Sequence, residues 1–171
     1  MEHAASGSVS DELPPEDAGA SPTGRQFTMG LFSAWATFTV LAGLAALVYG
    51  LLHGGEVVVL FSEQPLWQFI AGAMIVCGLL AAGALLLVAV PLFTLSRPVG
   101  RQSTPVRGII WFAVGTVLAA ASLTAAVAIA AAVGASLWSN PEFPAVLALL
   151  SLFGGVAGLA GWTTVLFSRS H

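Results

Sequence analysis

Four long apolar runs, separated by short polar stretches, dominate the pattern of the chain. They cover residues 27–52, 66–95, 109–138 and 145–167. A helix rises about 1.5 Å per residue, so each run is long enough to cross a hydrocarbon core about 30 Å thick. Because unpaired backbone groups are excluded from lipid, each run is expected to be helical. The pattern predicts an all-α membrane protein with four transmembrane helices.

The first 24 residues have a different character, being polar, acidic and rich in proline, serine and glycine. Such a composition offers too few large apolar side chains to offset the entropy lost on ordering. We therefore divide the chain into a disordered acidic cytoplasmic tail, residues 1–24, and a four-helix transmembrane domain, residues 25–171. The tail has two interpretations, a docking segment or a solvated terminus, and its composition favours the second.

A short segment with strand-like residues lies between the first two apolar runs. It contains three consecutive valines, Val57 to Val59, and is too short to cross a membrane. Nothing nearby in the sequence has the β-branched or aromatic character expected of a partner strand. The segment could form a strand-like or interfacial stretch over the helix ends, but without a partner strand we expect an ordered loop.

Composition strengthens the membrane prediction. Hydrophobic residues make up 57% of the chain and charged residues 8%, whereas soluble domains contain about 25% charged residues. A small soluble domain leaves much of its surface in water and has no means of hiding so much apolar area. The few cations form no basic patch that could neutralise a phosphate backbone, so no nucleic-acid partner is expected.

The cationic residues predict the orientation of the chain, because cytoplasmic loops of membrane proteins are enriched in arginine and lysine. With four spans, every arginine falls on one side, whereas the Asp, Glu, Lys and Arg residues of the two remaining loops are all glutamates. Both termini and the central loop are therefore predicted to be cytoplasmic. The predicted topology anchors are Arg25, Arg97, Arg101, Arg107 and Arg169.

Small residues recur at helical spacing within the apolar runs. In a membrane such residues let helix backbones approach closely, and the fourth run includes a GxxxG pair. The predicted helix-packing positions are Ala42, Ala46 and Gly50 in the first run, Gly78 in the second, Ala120, Thr124 and Ala128 in the third, and Gly154, Gly158 and Gly161 in the fourth.

The two halves of the chain show a weak internal match at an offset of 76 residues. Gly24-Arg25-Gln26 aligns with Gly100-Arg101-Gln102, and Trp35 aligns with Trp111. The offset also pairs Pro65 with Pro141 and Gly78 with Gly154. One interpretation is that two duplicated helical hairpins form a parallel repeat. The other is coincidence in a sequence rich in alanine, glycine and leucine.

No Asp, Glu, Lys, Arg or His lies inside any of the four apolar runs. Ion-coupled and proton-coupled transporters generally need such groups near the middle of the membrane, so this absence argues against both classes. The three histidines, at positions 3, 53 and 171, fall on opposite sides of the membrane or in the tail, which excludes a bis-histidine haem site.

The remaining chemistry-bearing residues fit no known site. His53, Glu56 and Glu63 share one loop, but their spacing matches no metal-ligand pattern. Cys77 is the single cysteine and lies in an apolar run, so it forms no intramolecular disulfide and supplies no structural zinc site. We name no catalytic residue, cofactor or metal, and we expect a non-enzymatic protein.

Two functional hypotheses follow. The leading one is an integral membrane subunit or scaffold that packs within a larger membrane protein assembly, because small-residue faces are abundant and the loops are short. Its partners would be the lipid bilayer and other membrane subunits, or further copies of this chain. The alternative is a pore or carrier for a neutral or apolar small solute, which could act as a homo-oligomer. The solute path would be lined by Thr116, Ser122, Thr124, Ser151, Thr163 and Thr164.

Overall fold

Four long helices make up most of the computed structural model, which describes residues 22–52, 56–59, 62–99, 101–132 and 143–168. Each helix is long and apolar enough to cross a membrane, which confirms the prediction of four such helices. In chain order the elements are α1 (Gly24–Leu52), β1 (Glu56–Val59), β2 (Ser62–Pro65), α2 (Leu66–Val99), α3 (Thr104–Ala132) and α4 (Phe143–Phe167).

The helix ends extend beyond some of the apolar runs because polar residues also join the helices. The α1 helix begins with a capping box, in which the Gln26 backbone N–H donates to Thr23 Oγ1 (3.4 Å) and the Thr23 N–H donates to Gln26 Oε1 (3.1 Å). The α2 helix continues through Pro98, its penultimate residue. The second residue of α3 is Pro105, which needs no intrahelical donor there.

Parts of the sequence-based predictions lie outside the described residues. These are the acidic tail up to residue 21, residues 133–142 between α3 and α4, and the anchor Arg169.

The segment between α1 and α2 corrects the expectation of a loop without a partner strand. Glu56–Val59 pairs antiparallel with Ser62–Pro65, and the register places Glu56 opposite Pro65 and Val59 opposite Ser62. Ser-Glu-Gln-Pro lacks β-branched and aromatic residues, so its composition did not indicate a strand. Backbone pairing does not require those residue types, because strand propensity mainly reflects side-chain packing.

The four helices form an antiparallel bundle with one open side. The α4 helix packs closely against α3 and α1, and α1 packs closely against α2, whereas α2 and α3 make much less contact with each other. At one end, the Gln26 side-chain amide donates to Ser168 O (3.2 Å), and the Phe27 and Phe93 rings meet edge-to-face at 5.2 Å. These contacts bring together the start of α1 and the ends of α2 and α4.

The described arginines all belong to this end of the bundle, which we call the arginine end. Arg25 lies in the first turn of α1, Arg97 in the last turn of α2, and Arg107 in the first turns of α3. Arg101 lies between α2 and α3. The β1–β2 hairpin lies at the opposite end, because it joins the end of α1 to the start of α2.

Glycine permits the closest helix contacts. Gly115 of α3 lies directly against the backbone of Gly154 and Gly158 in α4, so a Cβ on any of the three would overlap backbone atoms of the facing helix. Between α1 and α4, a Cβ on Gly161 would lie 2.6 Å from Gly30 O. Such approaches increase van der Waals contact between helices, which is a main source of association between helices in lipid.

Candidate functional site: an apolar crevice between α2 and α3

The open side of the bundle leads into an apolar crevice with a volume of about 140 Å³. All four helices contribute to its walls. It extends from Val99 and Arg107 at the arginine end to Cys77 and Leu123 deeper in the bundle. Arg107 and Leu123 lie on the same helix, and the helical rise between them corresponds to about 24 Å. The crevice is therefore long and narrow and runs along the bundle.

The shape of the crevice follows from the residues that line it. Small residues of α2 and α3 line the crevice, and aromatic rings from α1, α3 and α4 form much of the remaining wall. The small lining residues include Ala81, Ala84, Gly115 and Ala119, and the aromatic ones are Phe27, Trp35, Phe38, Trp111 and Trp162.

The polar side chains of the helical walls bond to backbone carbonyl groups. Ser96 Oγ donates to Phe93 O (2.6 Å), and Ser122 Oγ donates to Leu118 O (2.7 Å). Trp35 Nε1 donates across the α1–α2 interface to Gly78 O (2.8 Å). In the described part of the chain, every buried side-chain nitrogen or oxygen has a hydrogen-bond partner. The middle of the crevice therefore presents an apolar surface to any ligand.

Charge is concentrated at one end of the crevice. Arg107 is half-buried, lines the crevice, and donates a hydrogen bond from Nε to Gln102 O (2.5 Å). Arg97 is exposed and holds its guanidinium carbon 5.9 Å from the centre of the Phe93 ring. Arg25 and Arg101 are also exposed. An elongated ligand with an apolar tail and an anionic head would match this distribution of apolar surface and charge.

The predicted helix-packing residues lie in two different environments. Most are covered by neighbouring helices: Ala42, Ala46, Gly50, Gly78, Gly154 and Gly161 are buried, and Gly158 is half-buried. The stripe on α3 differs, since Ala120 is half-buried whereas Thr124 and Ala128 are exposed. The face of α3 that carries Thr124 and Ala128 therefore points away from the bundle.

The hydroxyl groups considered for a solute path do not come together. Each donates to a backbone carbonyl three or four residues earlier in its own helix, a common arrangement that satisfies the hydroxyl locally. Of the six, Ser122 lines the crevice and the other five do not. The six are Thr116, Ser122, Thr124, Ser151, Thr163 and Thr164.

A second feature that the sequence interpretation missed is a glycine-containing outer face on α2. Gly72 and Gly83 are exposed, and apart from their own helical turns no described atom lies within 4 Å of a Cβ built on either residue. Leu79 and Leu86 on this helix are 69% and 78% exposed. The spacing of Gly72 and Gly83, about three helical turns, is the only indication of this face in the sequence. Hydropathy does not distinguish an outer face of this kind from an interior one.

The described residues contain no group of three side chains suited to holding a metal ion. The side chains of His53, Glu56 and Glu63 lie outside the described part of the structure. Comparison with known protein families, curated proteins and solved structures finds no significant match to this chain.

Proposed function

We propose that this protein is a non-enzymatic integral membrane subunit or scaffold that packs against other subunits of a larger assembly. The observation that carries the proposal is the pair of outward-facing glycines, Gly72 and Gly83, on α2. Glycine in a helix interior costs about 1 kcal/mol relative to alanine. Within the described residues, no other helix packs against either glycine.

Close packing against a partner helix would give these glycines a role. Apolar side chains gain little from leaving lipid for a protein interface, so helices in membranes associate through close van der Waals contact at small residues. Gly72 and Gly83 lie three turns apart, which places them on one face of α2 together with Val76 and Leu79, both more than half exposed. A partner helix could approach this face as closely as α4 approaches α3.

A second outward face supports the same proposal. Thr124, Ala128 and Ala132 recur every four residues on α3, and all three are exposed. Their spacing resembles that of Ala42, Ala46 and Gly50 on α1, which are buried between helices. The small-residue face of α1 is thus covered within the bundle, whereas the comparable face of α3 is free to contact a partner.

The proposal includes a multi-pass membrane location with both termini and the α2–α3 connection in the cytoplasm. The arginine end carries four of the five arginines within the described residues, and the fifth, Arg169, directly follows Ser168. Cytoplasmic enrichment of arginine is the general rule that gives this orientation.

We also propose that the two helical hairpins arose by duplication. The 76-residue offset that aligns Trp35 with Trp111 also relates α1 to α3 and α2 to α4. Under this relation, the Gly30–Gly161 contact between α1 and α4 corresponds to Val106 and Leu85 in α3 and α2. The larger side chains at those two positions would not permit the same approach, in keeping with the weaker contact between α2 and α3.

A carrier for an apolar solute is a second candidate, favoured by the apolar crevice of about 140 Å³. Flux of an apolar solute in proteoliposomes, abolished by filling the crevice with an Ala81→Phe substitution, would support this function. Equal flux in protein-free liposomes would contradict it.

Co-purification tests the leading proposal. The wild-type chain, extracted from its native membrane in mild detergent, should be recovered with partner subunits or as a homo-oligomer, identified by mass spectrometry. The double substitution Gly72→Leu and Gly83→Leu should abolish this association, because leucine would hold the partner helix away. Both sites face open space, so the bundle itself should remain folded.

Ala148→Leu is the matched control, since it makes a similar change in size at an exposed position on α4. It should leave association unchanged. Recovery of the wild-type chain solely as a monomer, with no associated protein, would contradict the proposal.

A further inference from the structure

We propose that the crevice between α2 and α3 binds one acyl chain of an anionic phospholipid whose headgroup lies beside Arg107. The inference shares with the proposed subunit role only the membrane location, and it assigns a lipid to the crevice that the second candidate function assigns to an apolar solute. It concerns the crevice between the helices, whereas the subunit proposal concerns the outer faces of α2 and α3.

The dimensions of the crevice favour a slender occupant. An engineered apolar cavity of about 150 Å³ in another protein accommodates benzene, and the volume here is about 140 Å³. A helix, about 10 Å across with its side chains, would need far more room. The volume is too small for a partner helix and admits only a slender group, such as a stretch of a hydrocarbon chain.

Its length and direction fit a lipid from one leaflet. The lining extends along α3 from Arg107 to Leu123, about 24 Å of helix. One leaflet, including its headgroup region, is about 20–22 Å thick, which is close to this length. The open side between α2 and α3 would let the chain of a neighbouring lipid enter laterally, without crossing a polar barrier.

The chemistry of the walls agrees with this occupant. The lining side chains are overwhelmingly apolar, and the hydroxyls of Ser96 and Ser122 already donate to backbone carbonyls. Burying a hydrocarbon chain here would require no polar partner. Segment 1–21 of this chain is polar and acidic in sequence, so it has little apolar surface to offer the crevice.

Charge complementarity determines the class of headgroup. Arg107 lines the end of the crevice, and Arg97 and Arg101 belong to the same end of the bundle. A guanidinium group donates well to phosphate oxygens and retains its charge at any physiological pH. An anionic headgroup is therefore favoured over a zwitterionic one.

Native mass spectrometry of the full chain in mild detergent tests the proposal, with phosphatidylglycerol and phosphatidylcholine as probes. We expect one tightly retained phosphatidylglycerol and markedly weaker retention of phosphatidylcholine. Ala84→Phe, which fills the crevice, should abolish retention. Ala71→Phe, at an exposed position on the same helix, should have no effect. Equal retention of both lipids, or retention unchanged by Ala84→Phe, would overturn the proposal.

The role of Arg107 is tested by Arg107→Gln, which should reduce the preference for phosphatidylglycerol about fivefold. Arg107→Lys should restore most of the preference because it restores the charge. Arg25→Gln removes a charge from the same end but not from the crevice lining, so it should leave the preference unchanged. An equal loss in Arg107→Gln and Arg25→Gln would indicate diffuse surface attraction and would overturn the site.

Cys77 provides a measurement that needs no crevice-filling substitution. It is the single cysteine of the chain and lines the crevice. Phosphatidylglycerol should slow its alkylation by N-ethylmaleimide severalfold in the wild-type protein, whereas phosphatidylcholine should not. Protection that exists in the native membrane but is not restored by phosphatidylglycerol would overturn the proposal in favour of a protein segment in the crevice.

Discussion

The indole Nε1 of Trp35 donates a hydrogen bond of 2.8 Å to the carbonyl oxygen of Gly78, linking the two helices of the first hairpin. Gly78 also lies beside Thr39, whose Oγ1 would be 3.4 Å from a Cβ built at that position. The contact thus combines a polar bond with close packing of α1 on α2. It is also one of the positions that the 76-residue offset relates to the second hairpin.

Replacing Trp35 with phenylalanine should destabilise the α1–α2 contact, because phenylalanine keeps an aromatic ring but has no N–H donor. Hydrogen bonds between helices in membranes contribute about 0.6 kcal/mol on average. Reversible unfolding in mixed micelles should show a loss in the free energy of unfolding of about that size, increased by the smaller ring's weaker packing. Trp67→Phe is the control, since Trp67 is 67% exposed and should change the free energy little.

The glycine contact between α3 and α4 gives a second stability prediction. Gly158→Ala would place a Cβ against the Trp111 carbonyl oxygen, forcing the two backbones apart. Overpacking of this kind typically costs about 1–3 kcal/mol. The same unfolding assay should therefore show a marked loss of stability.

Gly83→Ala is the matched control for that substitution. No described atom of another helix lies near this position. Alanine has a higher helix propensity than glycine, so Gly83→Ala should leave stability unchanged or raise it by up to about 1 kcal/mol. Equal destabilisation by the two substitutions would contradict this account, because it would show that the loss at Gly158 does not depend on its close approach to α3.

These contacts show what the sequence does and does not determine. Hydropathy located four helices because each must satisfy its own backbone hydrogen bonds over a long apolar stretch. It did not distinguish Ala42 and Ala46, which are buried, from Ala128, which has the same residue type and spacing but is exposed. Lipid and protein interior are similarly apolar, so composition alone carries little information about which face is covered.

The crevice was less accessible to sequence reasoning than the helices. It depends on the relative positions of all four helices, and residues as distant in sequence as Phe38 and Trp162 share its wall. The β1–β2 hairpin was missed for a different reason, because Ser62–Pro65 has a composition atypical of strands and forms its strand through backbone pairing with Glu56–Val59.

Neutralising the arginines between α2 and α3 should disturb membrane orientation more than helix packing. Arg97 and Arg101 are exposed, and Arg107 is half-buried at the arginine end of the crevice. The triple substitution to glutamine should produce a population of chains with inverted or mixed topology. Labelling of a Ser103→Cys probe in a Cys77→Ala background, from each side of the membrane, would measure that population.

Gln102→Ala in the same labelling background controls for disturbance of this connection without loss of charge. It should leave the probe accessible from the cytoplasmic side alone. An accessibility pattern unchanged by the triple substitution would show that these arginines do not anchor the topology.

Photo-crosslinking from α2 in the native membrane tests the central claim most directly, that the outer face of this helix contacts another subunit. A benzophenone amino acid replacing Leu79, midway along the Gly72–Gly83 face, should give a discrete protein adduct. The adduct should disappear when Gly72→Leu and Gly83→Leu are added, and the same probe at Val48, exposed on α1, should give no such adduct. The absence of a discrete protein adduct from position 79 would contradict the account.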